Sequence, residues 1–257
     1  MLNYEATGNP TGPVLFMGSS LGTTLRMWEN LLPGLEPHFR IIRFDARGHG
    51  GSVDTETAAA GKVSTRTVEE LAKDVVDLAD ELNIDAFHYA GLSLGGAIGQ
   101  ELAISYPGRV QSLVLCCTAA KFGEPKPWQD RAERVRAEGM GWLRQPTADR
   151  WFTEGFAGTD DFAKVLLEDL LALSPAGYAN ACDAVSRFDA SDRLDEITIP
   201  VLVIAGAQDL ATPPSVVKAI ADGISGAKYL EIDGAAHIAN VQRPEAFVKA
   251  ITEFIQD

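Results

Sequence analysis

The chain has 257 residues, of which 46% are hydrophobic, 23% charged and 8% aromatic, proportions typical of a folded globular protein with a full core. Its 36 acidic residues outnumber the 22 basic ones and give a formal net charge of −14. A surface of that sign repels nucleic-acid phosphates and anionic lipids, which argues against both as partners. The 3 cysteines show no metal-site spacing, and no leader-like or membrane-spanning stretch is visible, so we predict a cytoplasmic protein.

Short β-branched and aliphatic runs alternate with longer stretches of helical periodicity. Apolar residues repeat on one helix face over 68–82, and prolines open a second helical stretch over 213–224. Strands alternating with helices predict an α/β fold with a mostly parallel sheet flanked by helices. The strand-like runs are 14–17, 40–44, 86–90, 110–116, 201–205 and 229–232.

This alternation stops in the middle of the chain. Residues 121–195 contain no strand-like run, and they concentrate aromatic residues in mostly helical sequence. We interpret 1–120 and 196–257 as the core and 121–195 as a helical cap inserted in it. The aromatic residues of the insertion are Trp128, Trp142, Trp151, Phe152, Phe156 and Phe162.

The most informative motif is Gly91-Leu92-Ser93-Leu94-Gly95, a G-x-S-x-G between a predicted strand and a helical run. In that context the glycines permit a sharp turn that exposes a serine hydroxyl above the sheet. The helix N-terminus also places the Leu94 N–H beside the charge that develops on an attacked carbonyl. The motif predicts that Ser93 is a nucleophile.

A serine nucleophile needs a base and a carboxylate that orients it. Of the 4 histidines, His237 follows the last predicted strand in a loop that can reach Ser93. Asp209 lies just beyond the strand-like run 201–205 and between the other two in sequence. We therefore predict a Ser93–His237–Asp209 triad, with Asp233 as the alternative acid.

An acyl-transfer site also needs a second oxyanion donor from the loop after an early strand. The segment 18–24 is small and bounded by glycines, so its backbone can approach a substrate. We expect the Leu21 N–H to join that of Leu94, although a slip of one residue would give the role to Ser20 or Gly22.

Together these motifs resemble the α/β-hydrolase superfamily over nearly the whole chain. The loop 45–52 is similar to the one that follows the fourth strand in that fold, and the resemblance suggests structural roles for Asp45, Arg47 and His49. Two departures are that Ser19-Ser20 replaces the usual His-Gly and that the chain begins at what looks like the second strand, over 2–6. Within the superfamily, segments 20–28, 91–96, 206–214 and 235–245 resemble the 3-oxoadipate enol-lactonases.

The resemblance implies hydrolysis of an enol-lactone to 3-oxoadipate through an acyl-enzyme, as in bacterial aromatic-acid degradation. The resemblance implies no metal and no organic cofactor, and it implies that the protein binds a small carboxylate-bearing lactone. Two alternatives remain: the same triad acting on a simple ester or a carbon–carbon bond, and a ligand receptor on this scaffold with negligible turnover. The oligomeric state stays open.

A protein of net charge −14 needs a local cation to capture a substrate carboxylate, and the planar fork of arginine suits that role. Most cap arginines are expected on a solvated helix face. We predict that Arg134 instead projects inward beside Trp128 or Trp151 and binds the carboxylate. The cap arginines between these two tryptophans are Arg131, Arg134, Arg136, Arg144 and Arg150.

Overall fold

The structure, a computed structural model, describes residues 1–54 and 66–256. Its strands are β1 (Tyr4–Gly8), β2 (Val14–Gly18), β3 (Arg40–Phe44), β4 (Phe87–Leu92), β5 (Val110–Cys116), β6 (Val201–Gly206) and β7 (Lys228–Ile232). They form one sheet in the order β1-β3-β2-β4-β5-β6-β7. β1 runs antiparallel to β3, and all other neighbours are parallel.

The predicted α/β fold is therefore confirmed: the bounds of 40–44 and 110–116 match the observed strands, and the other four predicted strand-like runs differ by a residue or two. β6 is buried along its whole length, as expected for a strand covered on both faces of a parallel sheet. The run 2–6, interpreted as the second strand of the fold, is represented by β1 at one edge of the described sheet.

The α-helices are α1 (Leu32–Leu35), α2 (Val68–Glu81), α3 (Leu94–Ser105), α4 (Pro125–Glu138), α5 (Arg144–Trp151), α6 (Phe156–Thr159), α7 (Asp161–Ala172), α8 (Pro175–Arg187), α9 (Pro214–Gly223), α10 (Ala239–Gln242) and α11 (Pro244–Gln256). Short 3₁₀ turns cover Leu25–Leu31, Gly141–Leu143 and Ser191–Glu196. Thr67 and Glu70 form a capping box at the start of α2, whose apolar face is buried. α2 packs against α3, which is buried from Leu94 to Ala103.

The segment between β5 and β6 consists mainly of helices α4 to α8, with α4 packed against α8. Lys121 and Asp189 meet where the segment begins and ends, as an isolated antiparallel bridge with the lysine Nζ 2.9 Å from Asp189 Oδ2. The Ala190 N–H donates to the Ala120 carbonyl at 2.8 Å. The division of the chain into a core and a cap stays a prediction.

The sheet register places four loops at one edge. Gly18 of β2 pairs with Gly91 of β4, and Cys116 of β5 pairs with both Leu92 and Ile204. The loops after β2, β4, β5 and β6 consequently leave the sheet side by side, where open α/β sheets bind ligands. Among the described residues, no helix has the length and apolar character needed to cross a membrane.

Candidate active site

Ser93 lies at the sharp turn from β4 into α3. Its backbone has φ 57° and ψ −112°, a strained conformation for a residue with a side chain. Two hydrogen bonds hold the turn: the Ser93 N–H donates to the Cys116 carbonyl at 3.0 Å, and Thr118 Oγ1 donates to the Ser93 carbonyl at 2.7 Å. The end of β5 and the residues after it therefore hold the serine in the conformation of a nucleophile elbow.

The glycines of the motif are required by close backbone contacts. A Cβ on Gly91 would lie 2.2 Å from the Gly95 carbonyl oxygen, and a Cβ on Gly95 would lie 2.2 Å from the Gly18 carbonyl oxygen. The Gly95 N–H donates to the Ser19 carbonyl at 3.0 Å. These contacts bring the loop after β2 against the first turn of α3.

His237 and Asp209 come together from the loops after β7 and β6. His237 Nδ1 lies 2.8 Å from Asp209 Oδ2, and both side chains are buried. His237 also lines the same cavity as Ser93. Asp233 is exposed, and its backbone carbonyl accepts from Arg243 Nε at 3.2 Å. The geometry favours Asp209 over Asp233 as the partner of the histidine.

The carboxylate of Asp209 is held by four hydrogen bonds. Oδ1 accepts from the N–H groups of Ala211 and Thr212 at 2.7 and 3.0 Å, and Oδ2 accepts from His237 Nδ1 and from Thr212 Oγ1. Burial opposes ionisation, but the electrostatic interaction with His237 and these hydrogen bonds outweigh it and lower the pKa of Asp209. The carboxylate is therefore ionised and fixed in one orientation.

The other three histidines are engaged elsewhere. His88 Nδ1 lies 2.8 Å from Ser112 Oγ inside the sheet, and His38 Nδ1 lies 3.3 Å from Gln256 Nε2 at the surface. His49 Nε2 accepts the Gly22 N–H at 3.1 Å, and burial lowers the pKa of its imidazole. A neutral His49 ring is what this accepting role requires.

Competition for hydrogen bonds distinguishes the oxyanion candidates in the loop after β2. The Ser20 N–H donates to Met27 Sδ at 3.2 Å, and the Gly22 N–H donates to His49. The N–H groups of Leu21 and Leu94 donate to no other described residue. Leu21 also lines the cavity that contains Ser93. Of the three positions considered in this loop, Leu21 therefore has the N–H that is free for a ligand.

Asp45 joins three segments of the chain that lie next to this loop. Its carboxylate accepts the N–H groups of Leu25 and Gly51 at 2.7 and 2.8 Å, and Asn3 Nδ2 at 2.7 Å. Arg47 forms an ion pair with Asp74 on α2, away from the cavity. These contacts agree with the structural roles predicted for Asp45, Arg47 and His49.

The cavity beside Ser93 is small, with a volume of about 50 Å³, well below the roughly 300 Å³ of ordinary ligand pockets. The helical segment between β5 and β6 forms much of its wall, and the predicted Trp128 and Trp151 are both part of it. Its lining residues are Ser20, Leu21, Ser93, Trp128, Arg131, Thr147, Arg150, Trp151, Tyr178, Ala211 and His237. Substrate binding must therefore widen the cavity.

Arg134 does not lie in this cavity, so its predicted inward position is wrong. Its guanidinium stacks 4.0 Å from the ring centre of Trp142, and Nε bonds Glu138 Oε2 at 2.8 Å. The reason is helical phase: at about 100° per residue, Arg134 lies about 120° around α4 from Trp128, whereas Arg131 lies about 60° away.

Arg131 and Arg150 line the cavity instead, and neither forms an ion pair with a described acidic side chain. Arg131 stacks 5.2 Å from the Trp128 ring centre, and its Nη1 lies 3.4 Å from the Tyr178 hydroxyl. The other three arginines between Trp128 and Trp151 have carboxylate partners: Arg134 pairs with Glu138, Arg136 with Asp183, and Arg144 with Glu168. The phase of the buried Ala132 and Val135 in the sequence of α4 is a signal that could have excluded Arg134, although it does not separate Arg131 from Arg136.

The strand order, the serine turn and the histidine–aspartate pair define an α/β hydrolase. Residues 13–244 match the family described as the alpha/beta hydrolase fold. This chain belongs to that family, and the resemblance stated from its sequence is confirmed.

Individual relatives are similar over nearly their full length. The chain is 38% identical to 3-oxoadipate enol-lactonase 2 of Acinetobacter baylyi, over 97% of this chain and 91% of that protein. The crystal structure of the enol-lactonase from Burkholderia xenovorans LB400 superimposes with a TM-score of 0.93 at 35% identity, covering 100% of this chain and 96% of that one. A malate-bound thermophilic esterase from Thermogutta terrifontis gives 0.90 at 28% identity, covering 99% and 93%.

Proposed function

We propose that this protein hydrolyses the ring ester of 3-oxoadipate enol-lactone to 3-oxoadipate. Full-length similarity to 3-oxoadipate enol-lactonases makes the chain a carboxylic ester hydrolase. The observation that carries the proposal is that Ser93, His237 and Leu21 line one cavity, where His237 is bonded to the buried Asp209. Turnover of the enol-lactone by the purified protein, measured beside generic esters, is the direct test.

In the proposed first step, Ser93 Oγ attacks the lactone carbonyl while His237 Nε2 takes the hydroxyl proton. Asp209 holds Nδ1–H and stabilises the imidazolium that forms. The N–H groups of Leu21 and Leu94 donate to the oxyanion of the tetrahedral intermediate. Because both donors are backbone groups held by rigid turns, little reorganisation is needed when the negative charge develops.

Collapse of the intermediate breaks the ring C–O bond, and the leaving group is an enol. His237 returns its proton to the departing oxygen, and the enol tautomerises to the ketone, which makes ring opening hard to reverse. A water molecule activated by His237 then attacks the acyl-enzyme and releases the product from Ser93. The residues named here need no metal or organic cofactor for these steps.

We assign recognition of the substrate carboxylate to Arg131, with Arg150 beside it. Both face the cavity without a carboxylate partner among the described residues, and Trp128 supports Arg131 by stacking on its guanidinium. A free carboxylate on the lactone would complete a charge-assisted pair at this position. Segment 121–195 would then act as a cap that supplies specificity, while the loops of the sheet supply catalysis.

Replacement of Arg131 by methionine tests this assignment. We expect KM for the enol-lactone to rise by about tenfold to a hundredfold, because a hydrogen bond to a charged group is lost. Hydrolysis of a neutral p-nitrophenyl ester should change little. Arg134→Met is the matched control, since that arginine lies on the same helix but faces away from the cavity. Equal losses on both substrates in Arg131→Met would show that the carboxylate is bound elsewhere.

A simple carboxylesterase is the second candidate, and the similarity to the Thermogutta terrifontis esterase favours it. The triad would be unchanged, and the cap would decide the substrate. A kcat/KM for neutral esters equal to or above that for the enol-lactone would support this alternative. The receptor hypothesis is separated from both enzymes by turnover, since a receptor would bind the lactone without releasing product.

We also infer that the protein acts in the cytoplasm, where thiols stay reduced. All three cysteines, Cys116, Cys117 and Cys182, are buried free thiols.

A further inference from the structure

Thr212 makes a buried side-chain contact with both members of the histidine–aspartate pair. Its hydroxyl oxygen lies 2.7 Å from Asp209 Oδ2 and 3.3 Å from His237 Nδ1. The same carboxylate oxygen lies 2.8 Å from Nδ1. Thr212 is only 3% exposed, so water does not replace this hydroxyl readily. The mechanism above assigns no role to it.

The proton of the Thr212 hydroxyl can be donated to only one of these two neighbours. In the tautomer that the mechanism requires, Nδ1 carries a proton aimed at Asp209 Oδ2, so the threonine cannot donate to Nδ1. Its proton therefore goes to Oδ2, and a lone pair of Oγ1 faces the Nδ1–H. The backbone N–H of Thr212 separately donates to Oδ1 at 3.0 Å. A substitution can thus remove the hydroxyl bond and retain the backbone bond.

We propose that Thr212 is a positioning residue that tunes His237 as the base of the reaction. By donating to the oxygen that faces the imidazole, it reduces the negative charge available to stabilise the imidazolium. The free enzyme therefore keeps His237 neutral down to a lower pH than it would without the Thr212 hydroxyl. A neutral His237 is able to accept the Ser93 proton. The inference rests on the proposed role of His237 as that base.

The other ionisable groups around His237 have a fixed effect. Burial raises the pKa values of Cys117 and Tyr178, so both remain neutral at working pH. Arg131 and Arg150 line the same cavity, and their positive charges oppose protonation of the imidazole. The Thr212 hydroxyl bonds none of these four groups. A shift caused by substitution at Thr212 is therefore attributable to the hydroxyl itself.

The test compares pH profiles of kcat/KM for Thr212→Val and Thr212→Ser, with a generic ester as substrate. We expect Thr212→Val to move the acidic limb upward by about half a unit to one unit, since one carboxylate donor is lost. Thr212→Ser should restore the wild-type limb, because serine supplies the same hydroxyl. Thr118→Val is the matched control: it removes an equally short buried hydroxyl bond, to the Ser93 carbonyl, and should leave the limb in place even where the rate falls.

A titration without turnover separates this inference from the proposed function. The His237 ring protons, followed by NMR across the same pH range, should show the same upward shift in Thr212→Val even for a protein that hydrolyses nothing. Thermal unfolding of each variant establishes that it is folded. An unmoved titration in folded Thr212→Val, or an equal shift in Thr212→Ser, overturns the proposal. If Thr212→Val does not fold, Thr212→Ala removes the same bond and is judged by the same titration.

Discussion

Replacement of Ser93 by alanine should abolish nearly all hydrolysis while the protein stays folded. We expect kcat to fall by at least about 10⁴-fold, because the oxyanion donors and the histidine cannot replace a covalent nucleophile. Alanine removes only the hydroxyl, and the Ser93 backbone bonds to Cys116 and Thr118 remain. Steady-state rates on the enol-lactone and a generic ester, together with the melting temperature, provide the measurement.

Ser112→Ala is a suitable control, because it removes a hydroxyl that contacts His88 inside the sheet rather than the cavity. It should retain ordinary kcat/KM values. Turnover of Ser93→Ala within about tenfold of the wild type would rule out the serine-hydrolase mechanism. Incubation of the wild type with a serine-directed phosphonate should also label Ser93, as found by mass spectrometry of the digested protein.

The second large effect is expected from Asp209→Asn. The amide retains the size of the side chain, but it cannot stabilise the imidazolium, and it favours the wrong histidine tautomer. We expect kcat to fall by about 10³- to 10⁴-fold. The loss should be seen with every substrate, since the carboxylate acts through His237 and not on one leaving group. Rates at a pH on the plateau of the wild-type profile give the comparison.

Asp233→Asn is the matched control for this substitution. Asp233 lies close in sequence to His237, but its side chain is exposed, and the histidine bonds Asp209. Its replacement should leave kcat within a few fold of the wild type. A large loss in Asp233→Asn with none in Asp209→Asn would reverse the assignment of the acid.

The fold and the candidate triad could be predicted because their signals are local. Buried strands are continuous apolar runs, and the serine turn needs Gly91 and Gly95 because a Cβ at either would collide with backbone. The chain order of Ser93, Asp209 and His237 then follows from the order of the strands. The structure adds the hydrogen bond between His237 and Asp209 and the cavity that Ser93 and His237 share.

Other features depend on contacts between segments distant in sequence. Leu21 is distinguished from Gly22 by a histidine 27 positions away that accepts the Gly22 N–H, and by its place in the wall of the cavity. Arg131 is distinguished from Arg134 by the phase of α4 and by which carboxylates reach each guanidinium. Thr212 looks like a turn residue until its hydroxyl is placed against Asp209. A single sequence does not show which of several possible partners a backbone or side-chain group will bond.

The meeting of Lys121 and Asp189 has a consequence for protein engineering and for evolution. The chain leaves the sheet after β5 and returns towards β6 at almost one point, closed by the bridge and by the Ala190–Ala120 hydrogen bond. Because the two anchors are held together, we expect that segments of different length and sequence can be exchanged between them without displacing either strand. Grafting the corresponding segment of another hydrolase at residues 121 and 189 should accordingly give a chimera that keeps the Ser93 turn and changes the wall of the cavity.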